Sequence, residues 1–571
     1  MDKQRLILFS LIAVIGYLLI LAWNDDYGQP PEEQLVTQNQ QLSTGDAFTN
    51  TSLPSANNAE KVANSDLPSA TPAAGNAVTD QPSVQAKPSQ QLINVETDVF
   101  KISINPRGGD VVYAALKDYP RVIDKPDAPF ALLQNNGARV YVAQSGLIGA
   151  NGPDASATGR PIYSASQSNF KMLEGEDTLQ VDLQLNENGV VITKRYTFTR
   201  GNYLIDVDYL INNQSSQNWQ GNFFAQLKRD NSADPSQTTS MGMASFLGAA
   251  TQTVEDNYVK VDFDDIADEP FKEKNTGGWV AILQHYFVSV WVPNKDQQHL
   301  YEVRKNSQGE NIAGLVSPAT IVPPGQQVTV GAQLYAGPKI QDRLEQISPS
   351  LELTIDYGFL FFIGQPLFWL LSFFHSFLGN WGWAIIFTTL VIKLAFFHLS
   401  ATSYKSMANM RRVGPEMARI KEQHGSDRQK MSAAMMELYK KEKINPLGGC
   451  LPILVQMPVF IALYWVLMES VELRQAPFMF WIEDLAVKDP LFILPILMGV
   501  TMYGQQLLNP TPPDPTQAKV MKMLPIMFTF FFLWFPSGLV LYWVANNILS
   551  IAQQWVITRK IEKAAKNKTL K

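Results

Sequence analysis

The sequence has almost no cysteine. Cys450 stands alone in 571 residues, so no disulfide can close within the chain. A single thiol beside an apolar run is most often a small packing group. No Cys-x-x-Cys, His-Glu-x-x-His, Gly-x-Ser-x-Gly or phosphate-loop pattern occurs. The five histidines, His285, His299, His375, His398 and His424, are scattered and sketch no metal site. These absences weigh against an enzyme, and no cofactor is expected. Charge is sparse too, at 17% of residues with a net of -6. That balance averages a polar first half with an apolar second half, so local charge says more than the total.

What is present divides the chain into segments. Leu6 to Trp23 is an apolar run behind Lys3 and Arg5, followed by Asn24-Asp25-Asp26 with no small-x-small cleavage site. It reads as an uncleaved anchor over 1–23, with its start in the cytoplasm. Residues 24–91 are rich in Gln, Asn, Ser, Thr, Ala and Pro. They bury too little apolar surface to offset ordering and read as a disordered tether. From 92 to 342 the period becomes two. Leu179, Val181, Leu183 and Leu185 alternate with polar residues, Asn186 to Gly189 supplies a turn, and strands are expected at Val190–Phe198 and Tyr203–Ile211. Many short strands with turn signals predict a β-sandwich outside the membrane.

The second half is dominated by apolar runs. Residues 356–379 are nearly all apolar, and Gly364-Gln365-Pro366 interrupts them. Topology places this run, with its connector (343–380), along the outer interface. Crossing there would put the basic segment that follows on the wrong side. A span is expected at Trp381–Leu399. It carries Lys393, whose charge costs about 2.5–3.5 kcal/mol at a bilayer centre. Thr389 and Ser400 share its helix face. Two readings stay open: the ammonium snorkels to headgroups, or it faces a polar groove.

Residues 400–446 hold ten Lys or Arg against five acids, which places them in the cytoplasm. They read as a hairpin of two helices. The first ends near His424-Gly425, and Ser426 or Asp427 caps the second. Its methionines and cations offer a greasy, basic surface. Four more spans are expected over 447–557: Cys450–Met468, Pro490–Leu508, the short Met523–Phe535, and Leu539–Ile557. A basic cytoplasmic tail follows at 558–571. Six crossings then return the chain to its starting side. Amides in the last span, including Asn546, Asn547, Gln553 and Gln554, either pair between helices or line the groove with Lys393 and Gln456.

Asn445 to Cys450, Gln456-Met457-Pro458, VELRQAP at 471–477, LPILMGVTM at 494–502 and FFLWFPSGLVLYW at 531–543 closely resemble the YidC/Oxa/Alb family of membrane insertases, in its Gram-negative form. The resemblance is dense over 350–560. It implies a multi-domain membrane protein: an α-helical bundle of six transmembrane helices, five in the conserved core, plus a periplasmic β-supersandwich. It further implies insertion and chaperoning of inner-membrane proteins, alone or with the SecYEG translocon, through a hydrophilic groove open to cytoplasm and lipid. No nucleotide or specific nucleic acid takes part. Lys393 occupies the position of the family's groove cation, usually arginine, so the planar five-donor fork is lost here. Gln456 and Thr389 match groove residues. Trp534, Tyr542 and Trp543 match aromatics near the substrate path, and Asn546 is assigned to the same groove. Arg411, Arg412, Arg419, Lys421, Lys440 and Lys441 are assigned to hairpin contacts with the ribosome and targeting machinery. The expected partners are nascent membrane proteins, SecYEG, SecDF and the lipid bilayer. A transporter, an anchored carbohydrate-binding protein and a passive scaffold are the rival readings. No internal repeat supports the first.

Overall fold

The computed structural model describes residues 66–68, 91–156, 159–237, 245–425, 427–442, 451–509 and 515–569. The expected anchor at 1–23 lies outside these residues. So do Asn445–Cys450 and most of the tether, apart from 66–68 and 91.

Two large sheets form the first half. Among the described residues the first has ten strands, in the order Phe271–Thr276, Gln298–Lys305, Asn311–Val322, Trp219–Arg229, Val140–Ile148, Pro129–Asn135, Asp110–Pro120, Phe100–Asn105, Ile93–Glu96 and Asn169–Lys171. The second has nine: Val259–Asp262, Gly248–Thr251, Val280–Leu283, Phe287–Pro293, Gln327–Pro338, Leu204–Asn213, Val190–Thr199, Thr178–Glu187 and Ser164–Ala165. The expected alternation is realised. Thr178–Glu187 pairs antiparallel with Val190–Thr199. Their hairpin turns at Asn188 and Gly189, with φ of 53° and 78°, the positive-φ pair that a two-residue hairpin needs. The sheets meet face to face. Tyr141 donates to Ile282 O at 3.5 Å, and Trp291 Nε1 donates to Gln226 O at 3.1 Å across the sandwich.

Several charges lie inside this core. Arg160 bridges Asp154 at 2.7 Å and also pairs with Asp110. Lys194, fully buried, donates to Gly108 O at 3.1 Å and Ser145 O at 3.2 Å. Buried cations persist only when their donors are satisfied.

The helical half begins with α1 (Gln341–Ile347). It continues through α2 (Phe361–Leu378), α3 (Trp381–Ala395), α4 (Phe397–Arg412), α5 (Gly414–His424), α6 (Arg428–Lys441), α7 (Leu451–Glu469), α8 (Ile493–Leu507), α9 (Pro515–Phe531) and α10 (Ser537–Thr569). Helix α2 packs on α3 and α7 through Gly364, Leu367, Phe368 and Leu371, and leaves Phe362, Trp369, Phe373 and Phe377 bare. Residues 358–378 are long and apolar enough to cross a bilayer. Among the described residues this is one such helix, or one of two if α3 and α4 count together. Close helix approach relies on small residues. A Cβ on Gly499 of α8 would lie 2.0 Å from Thr529 Oγ1 of α9.

Four boundaries differ from expectation. The short span expected at Met523–Phe535 instead begins earlier, because α9 runs from Pro515 to Phe531 through Lys519 and Lys522. The span expected to run to Leu399 ends at Ala395, where the chain bends by 69° into α4. The bend lays the buried Ser400, Ser403 and Tyr404 of α4 against α10. The hairpin's first helix is split at Val413, because Pro415 cannot extend the ladder backwards. The tail does not separate from the last span. Instead α10 runs on to Thr569, through helix formers such as Ala564 and Ala565.

The sandwich rests on the C-terminal end of α7, on the loop after it and on the connector before α2. Arg474 donates to Pro120 O at 2.7 Å, and Gln475 to the same carbonyl at 3.2 Å. His285 Nε2 lies 2.8 Å from Met468 O, and Ser245 donates to Glu469 at 3.1 Å. Lys260 pairs with Asp356.

Candidate functional site

The polar cluster between α3, α7 and α10 grows from three helix faces. Lys393 lies near the C-terminal end of α3 and is 6% exposed. Its Nζ donates to Ser550 Oγ at 2.8 Å and to Gln456 Oε1 at 3.4 Å. Gln456 comes from α7, and its Nε2 donates to Asn546 Oδ1 at 3.4 Å. Asn546 and Ser550 stand one turn apart on α10, so they present to the same side. Ser550 in turn donates to Asn546 O at 2.6 Å. Tyr404 of α4, also buried, lies against Ser550.

The electrostatics are one-sided. Among the described residues no carboxylate comes within ion-pair distance of Lys393. Neutral hydroxyl and amide dipoles hold it. They satisfy part of the ammonium and leave its charge unneutralised, which makes the site attractive to an anion.

Of the residues singled out from the sequence, Lys393, Gln456 and Asn546 come together. Thr389 is buried one turn before Lys393, but its hydroxyl donates to Ile385 O at 2.7 Å and is spent on its own helix. Tyr542 and Trp543 lie one turn below Asn546. Tyr542 stacks on Phe460 at 6.2 Å, while Trp543 meets Phe460 at 5.2 Å and Phe532 at 5.9 Å. Trp534 sits in the turn before α10, edge-on to Phe530 at 4.9 Å, away from the cluster. The other amides are paired. Asn547 donates to Thr501 at 3.2 Å, Gln554 to Asn509 at 3.0 Å, and Gln553 to Phe397 O at 3.3 Å. Ser550 and Tyr404 were missed by sequence reasoning. The four-residue spacing from Asn546 was the available signal for Ser550.

The hairpin is a separate surface. Val413, Met417 and Leu438 form its small core, with Met410, Ile420 and Tyr439 packed around them. Arg411, Arg412, Arg419, Lys421, Lys440 and Lys441 all project from it exposed. Arg412 reaches Glu442 at 2.7 Å.

Residues 92–370 match the YidC periplasmic domain family, and residues 373–565 the 60Kd inner membrane protein family. The chain is 58% identical over 566 residues to the membrane protein insertase YidC of Pseudomonas putida (strain W619), covering 99% of each chain. It is 56% identical over 589 residues to the one from Ectopseudomonas mendocina (strain ymp), again covering 99% of each. Among solved structures, an active YidC insertase crystal structure with the first transmembrane domain resolved matches with a TM-score of 0.38 at 18% identity, over 82% of this chain and 92% of that one. A galactose mutarotase-like protein from Lactobacillus casei ATCC 334 matches with a TM-score of 0.30 at 10% identity, over 43% of this chain and 99% of that one.

Proposed function

The chain belongs to the YidC family of membrane protein insertases, inner-membrane proteins with a periplasmic domain, and we propose that it moves hydrophobic segments of nascent membrane proteins into the bilayer through a groove around Lys393. It works alone or beside SecYEG. Six crossings carry it, with both termini cytoplasmic and the sandwich in the periplasm. The run at 356–379 lies along the outer interface, and α9, whose apolar part begins only after Lys522, thins the bilayer there. The basic hairpin faces the ribosome and targeting machinery, and the sandwich contacts SecDF.

One observation carries the reading: a buried ammonium held only by neutral dipoles among the described residues. A polar substrate tail pays heavily to cross hydrocarbon. Polar groups reaching partway shorten that path, and Lys393 offers acidic tail residues a transient partner. Ser403 Oγ, Trp543 Nε1 and Gln554 Oε1 are buried without a protein partner among the described residues, and such groups favour water nearby. The substrate's apolar helix then slides sideways into lipid.

The test replaces Lys393 with Arg, Ala and Glu in a depletion strain and follows growth and insertion of a substrate with an acidic tail. Lys393→Arg is expected to support both. Lys393→Glu is expected to lose most insertion of that substrate. Equal function of Lys393→Glu and the parent chain would refute the attraction step.

A further inference from the structure

Asp66, Leu67 and Pro68 belong to the low-complexity stretch before the sandwich, yet they sit in a fitted socket on its first sheet. Alternation along Trp219–Arg229 sends Phe223, Ala225 and Leu227 into the main core and Phe224, Gln226 and Lys228 to the opposite face. Register then builds rows across three strands. Phe224 faces Val316, which faces Leu300. Gln226 faces Gly314, which faces Glu302. Lys228 faces Ile312, which faces Arg304. The face thus grades from an apolar row to a cationic one.

The three residues match that gradient. Leu67 packs against Ile148, Phe224 and Val316, in a cluster separate from the main core, with Leu300 beside it. The Asp66 carboxylate accepts from Asn306 Nδ2 at 2.6 Å and from Lys228 Nζ at 3.3 Å. The Asp66 carbonyl accepts from Gln226 Nε2 at 2.7 Å and Arg304 Nη2 at 3.3 Å. Lys228 and Asn306 also bond Glu310, at 3.0 and 2.7 Å, and Arg304 bonds Glu302 at 3.0 Å. The neighbouring acids therefore orient the donors. Pro68 is buried and brings a preset backbone that loses little freedom on docking.

We propose that this sheet face is a binding site for an acidic Asp-Leu-Pro peptide, and that its occupant is the chain's own Asp66–Pro68, a clip fastening the stretch to the sandwich. Attachment to the same chain supplies an effective concentration in the millimolar range, so a weak intrinsic affinity suffices. The sequence contains its own control. Leu-Pro-Ser-Ala occurs at 53–56 and again at 67–70, but Ser52 precedes the first copy where Asp66 precedes the second.

The experiment uses the full chain in detergent and a fluorescein-labelled peptide of residues 61–72, read by anisotropy. The double variant Asp66→Ala/Leu67→Asp, whose socket is vacated, is expected to bind the peptide. The parent chain, whose own segment competes, is expected to bind at least about tenfold more weakly. A peptide of residues 47–58, carrying the Ser-preceded copy, and a 61–72 peptide with Leu67→Asp are each expected to bind about tenfold more weakly to the double variant. Adding Lys228→Met or Asn306→Ala to the double variant is expected to weaken binding, with two variants guarding against misfolding of either. Equal affinity of parent and double variant, no binding to the double variant, or indifference to Leu67→Asp in the peptide would each overturn the proposal.

Discussion

Lys194 shows how a single residue sets a pH dependence. It is fully buried, and burial pushes its ammonium down to about 7. In the unfolded chain a lysine titrates near about 10.4. Between these values the unfolded state holds the extra proton, so stability rises with pH from about 7 to about 10 and levels off outside that window. Thermal unfolding of the full chain in detergent at pH 7 and pH 9 is expected to give the higher midpoint at pH 9. Lys194→Met is expected to flatten the difference, and an unchanged slope in that variant would remove Lys194 as its source. The strand was legible, and Val190, Ile192, Lys194, Tyr196 and Phe198 all fall on its inward set, but sequence reasoning did not single Lys194 out. Lys393 was easier to find, since a charge stands out in an apolar run while a lysine in a mixed strand does not. Its partner Ser550 was harder. A serine is unremarkable in a span, and only proximity to Lys393 gives it meaning.

At the scale of elements, α6 depends on its first turn. Asp427 accepts from the backbone N–H groups of Gln429 and Lys430, both at 3.1 Å. Asp427→Ala is expected to loosen the first turn of α6. Hydrogen exchange over residues 428–441 would speed up accordingly. The exposed Asp427–Lys430 ion pair adds little beside the cap. An exchange rate unchanged by the substitution would mean that packing on Met417 and Leu438 holds α6 by itself. Caps and glycines are local chemistry, and for that reason the turn at His424-Gly425 was legible and the cap was narrowed to Ser426 or Asp427. The bend after Ala395 was not, because neither proline nor glycine marks it and tertiary packing sets it. The extension of α10 was hidden for another reason. Falling hydropathy ended the apolar run, but helix propensity did not fall with it.

At the scale of the whole molecule, the sandwich and the helical region are joined by side-chain pairs and by bonds to backbone carbonyls. Arg474 and Gln475 converge on Pro120 O, and His285 meets Met468 O. Arg474 also lies over the rings of Phe130 and Phe287, at 5.9 and 5.7 Å. Arg474→Ala is expected to loosen this junction at a cost of about 1–3 kcal/mol, through lost charge-assisted bonds and ring contact. Trypsin cleavage at Arg343, in the connector, would accelerate severalfold. Cleavage at the parental rate would show that the remaining contacts suffice. The two halves were visible in composition alone. Their mutual seating was not, since a carbonyl acceptor leaves no trace in residue identity.

The length of α10 ties these scales together. At about 1.5 Å per residue its 33 residues extend for about 50 Å. Its near end is fixed where Ser537 bonds Asp484 O at 2.8 Å and Val487 O at 2.7 Å. Its midsection carries Asn546 and Ser550, and its far end bears Arg559 and Lys560. Beyond Gly538 it contains no glycine or proline to act as a joint. Asn546, Ser550 and the distal cations therefore share one continuous rod, with no joint between the buried lysine's partner and the charged far end.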